Sequence, residues 1–250
     1  MTRVLLLGGT TEASQMARAL AKAEVDAVFS YAGRTAAPIG QPLPTRIGGF
    51  GGVDGLVGYL RTERITHIID ATHPFAAQMS ANAVDASQMA QVPLIVLQRA
   101  PWQAGPGDNW HSVPDIAAAV SALPEAKSRV FLAIGKQNLT AFAAKPQHQY
   151  LLRLVDPPEE PLPLPDVSIV IARGPFGADE DERLMTEHRI THLVAKNAGG
   201  SGAEAKLIAA RALHLPVILI DRPALADRQE TDSVDRVMEW LGHAGTERGV

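Results

Sequence analysis

Short aliphatic runs alternate along the chain with longer stretches whose apolar positions recur at helical spacing. This is the pattern of strands joined by crossover helices in a parallel sheet. Val4–Leu7 predicts a first strand, and a helix beginning near Thr10 or Thr11 carries Ala13, Met16, Ala17 and Leu20 on one face. Ala27–Tyr31 reads as a second strand, Gly52–Arg61 as a helix and His67–Asp70 as the next strand. Pro74–Gln91 reads as a long Ala- and Met-rich helix with Pro74 in its first turn, where a missing N–H costs nothing. Leu94–Gln98 is a further strand.

From Pro101 to Pro114 the chain is rich in Pro, Gly and Trp and has no clear period, which predicts a junction. A second alternating series follows. Its strands are Val130–Ile134, Tyr150–Val155, Ser168–Ala172, His192–Lys196 and Pro216–Asp221, and its helices lie near Leu139–Ala144, Asp179–His188 and Gly202–Leu213. Thr231–Leu241 is a final amphipathic helix. The two halves share one grammar, so the expected class is α/β, with two Rossmann-like domains of mainly parallel strands and a ligand cleft between them. The domains are placed at 1–113 and 114–250. Whether the last helix packs back on the first domain is left open. So is strand order, because a strand crossing between sheets leaves no sign in the periodicity.

Composition narrows the classes. Two hundred and fifty residues suit one large domain or two of about 100–125. Hydrophobic residues at 46% and charged residues at 20% are those of a globular chain, and aromatics at 5% leave the core to Val, Ile, Leu and Ala. Basic residues number 23 against 27 acidic, a net charge of −4 with no basic stripe, so no global field attracts nucleic acid. An anionic ligand must be met by a local pocket. The absence of cysteine excludes disulfides, thiolate zinc, iron–sulfur clusters and a Cys nucleophile. The longest apolar runs are strand-sized, far short of a membrane span. Met1-Thr2-Arg3 leads into such a run without a signal-peptide layout, and the expected location is cytoplasmic.

The chemistry gathers where strands hand over to helices. Gly8-Gly9-Thr10-Thr11-Glu12-Ala13 follows the first strand; glycines there let the backbone approach a ligand, and the helix N-terminus offers N–H groups to phosphate. A tight turn with a threonine cap explains the same residues, since Thr10 and Ala13 replace two glycines of the G-x-G-x-x-G fingerprint. NAD-binding folds place an acid at the end of the second strand, on the ribose 2′-hydroxyl. Here Ser30-Tyr31-Ala32-Gly33-Arg34-Thr35 has no acid but an arginine with hydroxyls, the groups a 2′-phosphate needs. The pair of signals favours NADP(H). In Asp70-Ala71-Thr72-His73-Pro74-Phe75-Ala76, Thr72 and His73 stand where a cofactor or a substrate carboxylate would bind, although His73 equally suits a satisfied helix-start position.

Three loops of the second half repeat the theme: Gly135-Lys136-Gln137-Asn138, Arg173-Gly174-Pro175-Phe176-Gly177, and Lys196-Asn197-Ala198-Gly199-Gly200-Ser201-Gly202 with Lys206 and Arg211 behind it. Glycines, exposed amides and cations make anion-binding nests. The first is no Walker loop, because Val130 and Gln137 replace its glycine and its hydroxyl residue. None of Tyr31, Tyr59 and Tyr150 has a lysine four residues on, and no G-x-S-x-G elbow occurs. His188 and His192 lack a third metal ligand, and no metal site is expected. Glu180, Asp181, Glu182 and Arg183 read as a solvated helix face.

In this order, these stretches resemble the precorrin-6A reductase family of cobalamin biosynthesis. They are Gly8–Ala13, Ala32–Thr35, Asp70–Ala76, Arg173–Phe176, Lys196–Gly200 and Lys206–Pro223. One departure is Ala198, where the family's Lys-Asn-Ser-Gly pattern has serine. The resemblance implies reduction of a ring double bond of precorrin-6A with NADPH, by a monomer or small homo-oligomer. It implies a cofactor site at Gly8, Gly9, Thr10, Thr11, Glu12, Ser30, Gly33, Arg34, Thr35 and Thr72. The carboxylated macrocycle would meet His73, Phe75, Lys136, Arg173, Gly174, Pro175, Phe176, Lys196, Asn197, Gly199, Gly200 and Lys206, with His73 and Lys136 as proton-donor candidates. Two other readings are an NADP-dependent reductase of another polycarboxylated or phosphorylated molecule, and a non-catalytic NADP(H)-sensing module. The sensor leaves the Arg173 and Lys196 segments unexplained.

Overall fold

The structure, a computed structural model, describes residues 2–32 and 39–246, with side chains as far as Gly242. In chain order it runs β1 (Arg3–Leu7), α1 (Thr11–Lys22), β2 (Asp26–Tyr31), β3 (Thr45–Ile47), α2 (Gly52–Thr62), β4 (His67–Asp70), α3 (Ala77–Ala90) and β5 (Leu94–Leu97). Then come β6 (Trp110–Val113), α4 (Ile116–Ala122), β7 (Arg129–Ala133), a 3₁₀ stretch (Lys136–Ala144), β8 (Gln149–Leu154), β9 (Val167–Ile171) and α5 (Ala178–Glu187). The chain closes with β10 (His192–Lys196), a 3₁₀ turn (Ser201–Ala203), α6 (Ala205–Ala212), β11 (Val217–Ile220), β12 (Glu230–Thr231) and α7 (Val234–Thr246).

The chain forms two compact units, one made of residues up to Ala100 together with those from Ala224, the other of Pro101–Pro223. Each holds a six-stranded sheet, ordered β12-β5-β4-β1-β2-β3 in the first and β6-β11-β10-β7-β8-β9 in the second. All the pairings are parallel. The expected α/β class with two Rossmann-like sheets is what the fold shows.

In the first unit β1 is buried on both faces, which is why it reads as an unbroken aliphatic run. Val4 and Leu6 pack with Met16, Ala17 and Leu20 of α1 and Val237 of α7. Leu5 and Leu7 pack with Leu56, Val57 and Leu60 of α2 and Ala83 and Ala86 of α3. In the second unit Phe131, Leu151, Leu193 and Leu219 meet Met185 of α5 and Leu207 and Ala210 of α6 in the same way.

Several elements depart from the sequence expectation. The strands β3, β6 and β12 were not predicted, and all three lie at sheet edges. An edge strand hydrogen-bonds on one side and buries few side chains, so it needs no aliphatic run. The division at 113/114 meets a chain that changes unit at Ala100–Pro101 and again at Pro223–Ala224. Thus β6 belongs to the second sheet, and β12 and α7 to the first unit. Pro74 is not in the first turn of a helix: the Ala76 N–H closes a turn on the His73 carbonyl at 2.7 Å, and α3 begins at Ala77. Asp181 is not on a solvated face but 3% exposed.

Candidate active site

In the first sheet, Leu7 at the end of β1 pairs with Ser30 of β2 on one side and Asp70 of β4 on the other. The loops after these three strands therefore start at one level. Strand order reverses across β1, so β1 and β4 flank a topological switch point, where open α/β sheets bind ligands. The Thr10 hydroxyl spans it, donating to the Ala71 carbonyl at 2.8 Å while accepting from the Ala13 N–H at 3.1 Å as the cap of α1. Gly9 holds φ at +128°, with no heavy atom within 4 Å of where a Cβ would stand. Gly8 is tight instead: a Cβ there would lie 2.1 Å from Phe29 Cζ.

Behind the crevice, Asp70 is 2% exposed. Its carboxylate accepts from the Thr72 N–H at 3.0 Å and the Thr72 hydroxyl at 2.7 Å, which fixes the loop that carries His73. His73 is exposed, and its Nδ1 accepts from the Phe75 N–H at 3.2 Å. That bond fits the neutral tautomer with its proton on Nε2. Ser30 is buried and its hydroxyl takes Arg46 Nη1 at 2.8 Å. The expected residues Gly8, Gly9, Thr10, Thr11, Glu12, Ser30, Thr72, His73 and Phe75 are thus gathered along the carboxyl edge of the first sheet. Gly33, Arg34 and Thr35 lie outside the described residues.

The second unit builds a separate constellation. A cavity of about 240 Å³ is lined by Gly135, Arg153, Gly174, Phe176, Asp181 and Lys206, among others. Arg153 projects from β8, hydrogen-bonds the Asp181 carboxylate of α5 and lies 3.9 Å from the Phe176 ring centroid. Burial pushes the Asp181 carboxyl up, with the Arg153 guanidinium pulling against it. Lys206 donates to the Ala203 carbonyl and lies 5.0 Å from the Trp102 ring.

Of the remaining expected residues, Lys196 Nζ donates to Asn138 Oδ1 at 2.9 Å. Arg173 is exposed, 3.9 Å from Asp156, and Lys136 is exposed at the start of the 3₁₀ stretch. Pro175 follows a cis peptide bond and is exposed. Asn197 is buried, and both arms of its amide are engaged with the Trp102 main chain, at 2.8 and 3.0 Å. Its own carbonyl and that of Ala198 accept from Arg222, each at 3.0 Å. Gly199 and Gly200 follow with φ of +69° and +73°. Ala198 is 6% exposed. Among the described residues, no three His, Cys, Asp or Glu side chains come together as metal ligands, and no helix is long and apolar enough to cross a membrane.

Residues 3–242 match the family described as precorrin-6x reductase CbiJ/CobK. The chain belongs to the precorrin-6x reductase family. It is 66% identical over 251 residues to a Rhodobacter capsulatus protein named precorrin-6A reductase, covering 100% of both chains. It is 44% identical over 245 residues to the Mycobacterium tuberculosis H37Rv protein of that name, covering 96% of this chain and 98% of the relative. A Priestia megaterium protein named cobalt-precorrin-6A reductase is 31% identical over 253 residues, with 96% and 97% covered. A solved structure titled CobK precorrin-6A reductase superposes with a TM-score of 0.94 at 66% identity, covering 98% of each chain.

The residues that sequence reasoning passed over are three arginines. Arg153 interrupts Tyr150–Val155 and Arg46 is the middle residue of the short strand β3, while Arg99 stands two residues after β5. For Arg153 and Arg99 a charge inside or beside a buried run was the available signal, because such a group needs a built partner; the exposed strand β3 gave none for Arg46.

Proposed function

We propose that the chain reduces precorrin-6A to precorrin-6B with NADPH in cobalamin biosynthesis. One ring carbon of the substrate receives a hydride and its neighbour a proton, so the macrocycle gains two hydrogens. NADPH, when bound, supplies the hydride. The observation that carries the reading is the family match over residues 3–242, shared with relatives named precorrin-6A reductase. The metal-free substrate is proposed over the cobalt form, because the relatives named for it are 44–66% identical and the cobalt-named relative 31%.

The carboxyl edge of the first sheet suits a dinucleotide. Gly9 leaves open space where a side chain would stand, and the first N–H groups of α1 lack intrahelical partners. The backbone of Gly8, Gly9, Thr10, Thr11 and Glu12 would receive the pyrophosphate, and Thr72 would border the nicotinamide half. Ser30, Gly33, Arg34 and Thr35 are assigned to the 2′-phosphate. In the second unit Lys136, Arg173, Lys196 and Lys206 would pair with substrate carboxylates, and the amides of Gly174, Gly199 and Gly200 would donate to them. Phe75, Pro175 and Phe176 would lie against the ring, and Asn197 would hold the Lys196 loop in shape. His73, with its proton on Nε2, and Lys136 are the groups available to deliver the proton.

The test is an anaerobic assay with enzymatically prepared precorrin-6A and its cobalt form, following NADPH absorbance and macrocycle mass. Stoichiometric NADPH oxidation with a gain of two hydrogens is expected for the metal-free substrate. NADPH binding with no turnover of either form overturns the reading.

A further inference from the structure

We propose that Arg46 is the residue that fixes preference for a 2′-phosphorylated dinucleotide, acting as a preset guanidinium clamp at the carboxyl end of β2 and β3. The proposal rests on the NADPH reading above and names a determinant that reading does not contain.

Arg46 pairs in register with Ser30, so its side chain starts beside the end of β2, the place where Rossmann folds read the ribose 2′ position. The guanidinium is held from several directions. Nη1 donates to Ser30 Oγ at 2.8 Å and to the Gly48 carbonyl at 2.9 Å, and Nη2 donates to the Gly49 carbonyl at 3.1 Å. Its carbon lies 3.8 Å from the centroid of the Phe50 ring, which meets Tyr59 edge-on at 5.1 Å. A guanidinium fixed in this way loses little rotamer freedom when a ligand arrives.

All of these partners are neutral. Among the described residues no carboxylate pairs with Arg46, and from Ala27 to Val53 the chain contains no Asp or Glu. Of the five N–H bonds of an arginine, the Nε–H and one on Nη2 have no partner among the described residues. A phosphate, with two oxygens to meet the planar fork of a guanidinium, is an acceptor such donors fit. The charge is therefore built in and oriented but not neutralised, at the strand end where an NAD-binding fold would keep an acid.

The test is direct binding of NADP⁺, NAD⁺ and adenosine 2′,5′-bisphosphate to the wild type, Arg46→Ala and Arg46→Lys, by titration calorimetry. The wild type is expected to prefer NADP⁺. In Arg46→Ala, NADP⁺ and the bisphosphate should weaken about 10- to 100-fold, the worth of a charge-assisted hydrogen bond, while NAD⁺ binds as before. Arg46→Lys keeps the charge but cannot span Ser30, Gly48 and Gly49 together, and should fall between the two. If Arg46→Ala does not fold, Arg46→Lys carries the same comparison. Equal weakening of NADP⁺ and NAD⁺ would mean that Arg46 only braces the Gly48–Gly49 turn. Unchanged NADP⁺ affinity also overturns the proposal. A wild type that binds NAD⁺ as tightly as NADP⁺ overturns the NADPH reading itself, an outcome visible before any variant is made.

Discussion

Arg99 Nη1 lies 2.8 Å from Glu12 Oε2, joining the segment after β5 to the first turn of α1, with each side chain less than a fifth exposed. A carboxylate on the first turn of a helix is favourable toward the helix dipole. It is unfavourable toward the pyrophosphate proposed to dock at the same N-terminus, and Arg99 offsets its charge.

Arg99→Met should therefore weaken NADP⁺ binding as well as stability. The stability loss expected for a hydrogen bond to a charged group is about 1.5–3 kcal/mol. Adding Glu12→Gln to that variant should recover much of the cofactor affinity, because the stranded charge is gone. Calorimetric titration beside urea unfolding checks both. No recovery in the double variant would remove the electrostatic explanation.

The adjacent glycines are predicted to serve different ends. Gly8→Ala places a methyl group 2.1 Å from the ring of the fully buried Phe29, an overpacking that costs about 1–3 kcal/mol. Phe29→Leu should make Gly8→Ala less harmful, so the two changes together cost less than their sum. Gly9→Ala meets no neighbour but must hold φ near +128°, a strain of about 1–3 kcal/mol that Phe29→Leu leaves untouched. Urea midpoints of the single and double variants decide it, and rescue of Gly9→Ala by Phe29→Leu would contradict the distinction.

Arg153 and Asp181 form a pair whose side chains are 10% and 4% exposed. Asp181→Ala leaves the guanidinium buried without its counter-charge and should destabilise the fold by about 3–5 kcal/mol. Replacing both, with Arg153→Met and Asp181→Leu, should cost clearly less than the single change. If Asp181→Ala unfolds at the wild-type urea concentration, the pair does not support the second unit.

His148 is fully buried, and its Nδ1 accepts from the Ser128 N–H at 3.1 Å. Burial, then the positive charges of Lys145 and His192, hold its pKa below the usual histidine range, with Glu125 pulling the other way. Burial also lowers His192. A depressed histidine favours the folded state while neutral, so this stability is fully present above the unfolded pKa of about 6.5. It is lost progressively as pH falls from there through the lower folded value, because over that span the unfolded chain binds the proton and the folded chain resists it. The urea midpoint of the wild type should drop as pH falls from about 6.5 toward the lower folded value, and His148→Asn should flatten the drop. An unchanged acid slope in His148→Asn would clear His148 of the effect.

How far the sequence carried can be read from particular residues. The crevice group Gly8–Glu12, Ser30 and Thr72–Phe75 was legible because each member stands at the end of an aliphatic run, and such an end is a local feature. Arg46 and Arg153 were not, because what makes them notable is a partner elsewhere: Ser30 and Phe50 for one, Asp181 and Phe176 for the other. Asp181 looked solvated among Glu180, Glu182 and Arg183, and only the packing of α5 against β8 turned it inward.

By itself the sequence determined the α/β class, the succession of most strands and helices, and the family, since burial of each β-run and helix face is written in its own residues. The tertiary structure alone decided which strands complete each sheet. In the first, β12 follows the second unit's β11 along the chain yet lies beside β5; in the second, β6 follows β5 along the chain yet lies beside β11. A parallel pairing is made by backbone N–H and C=O groups that every residue carries, so an exposed edge strand can join either sheet without marking its side chains.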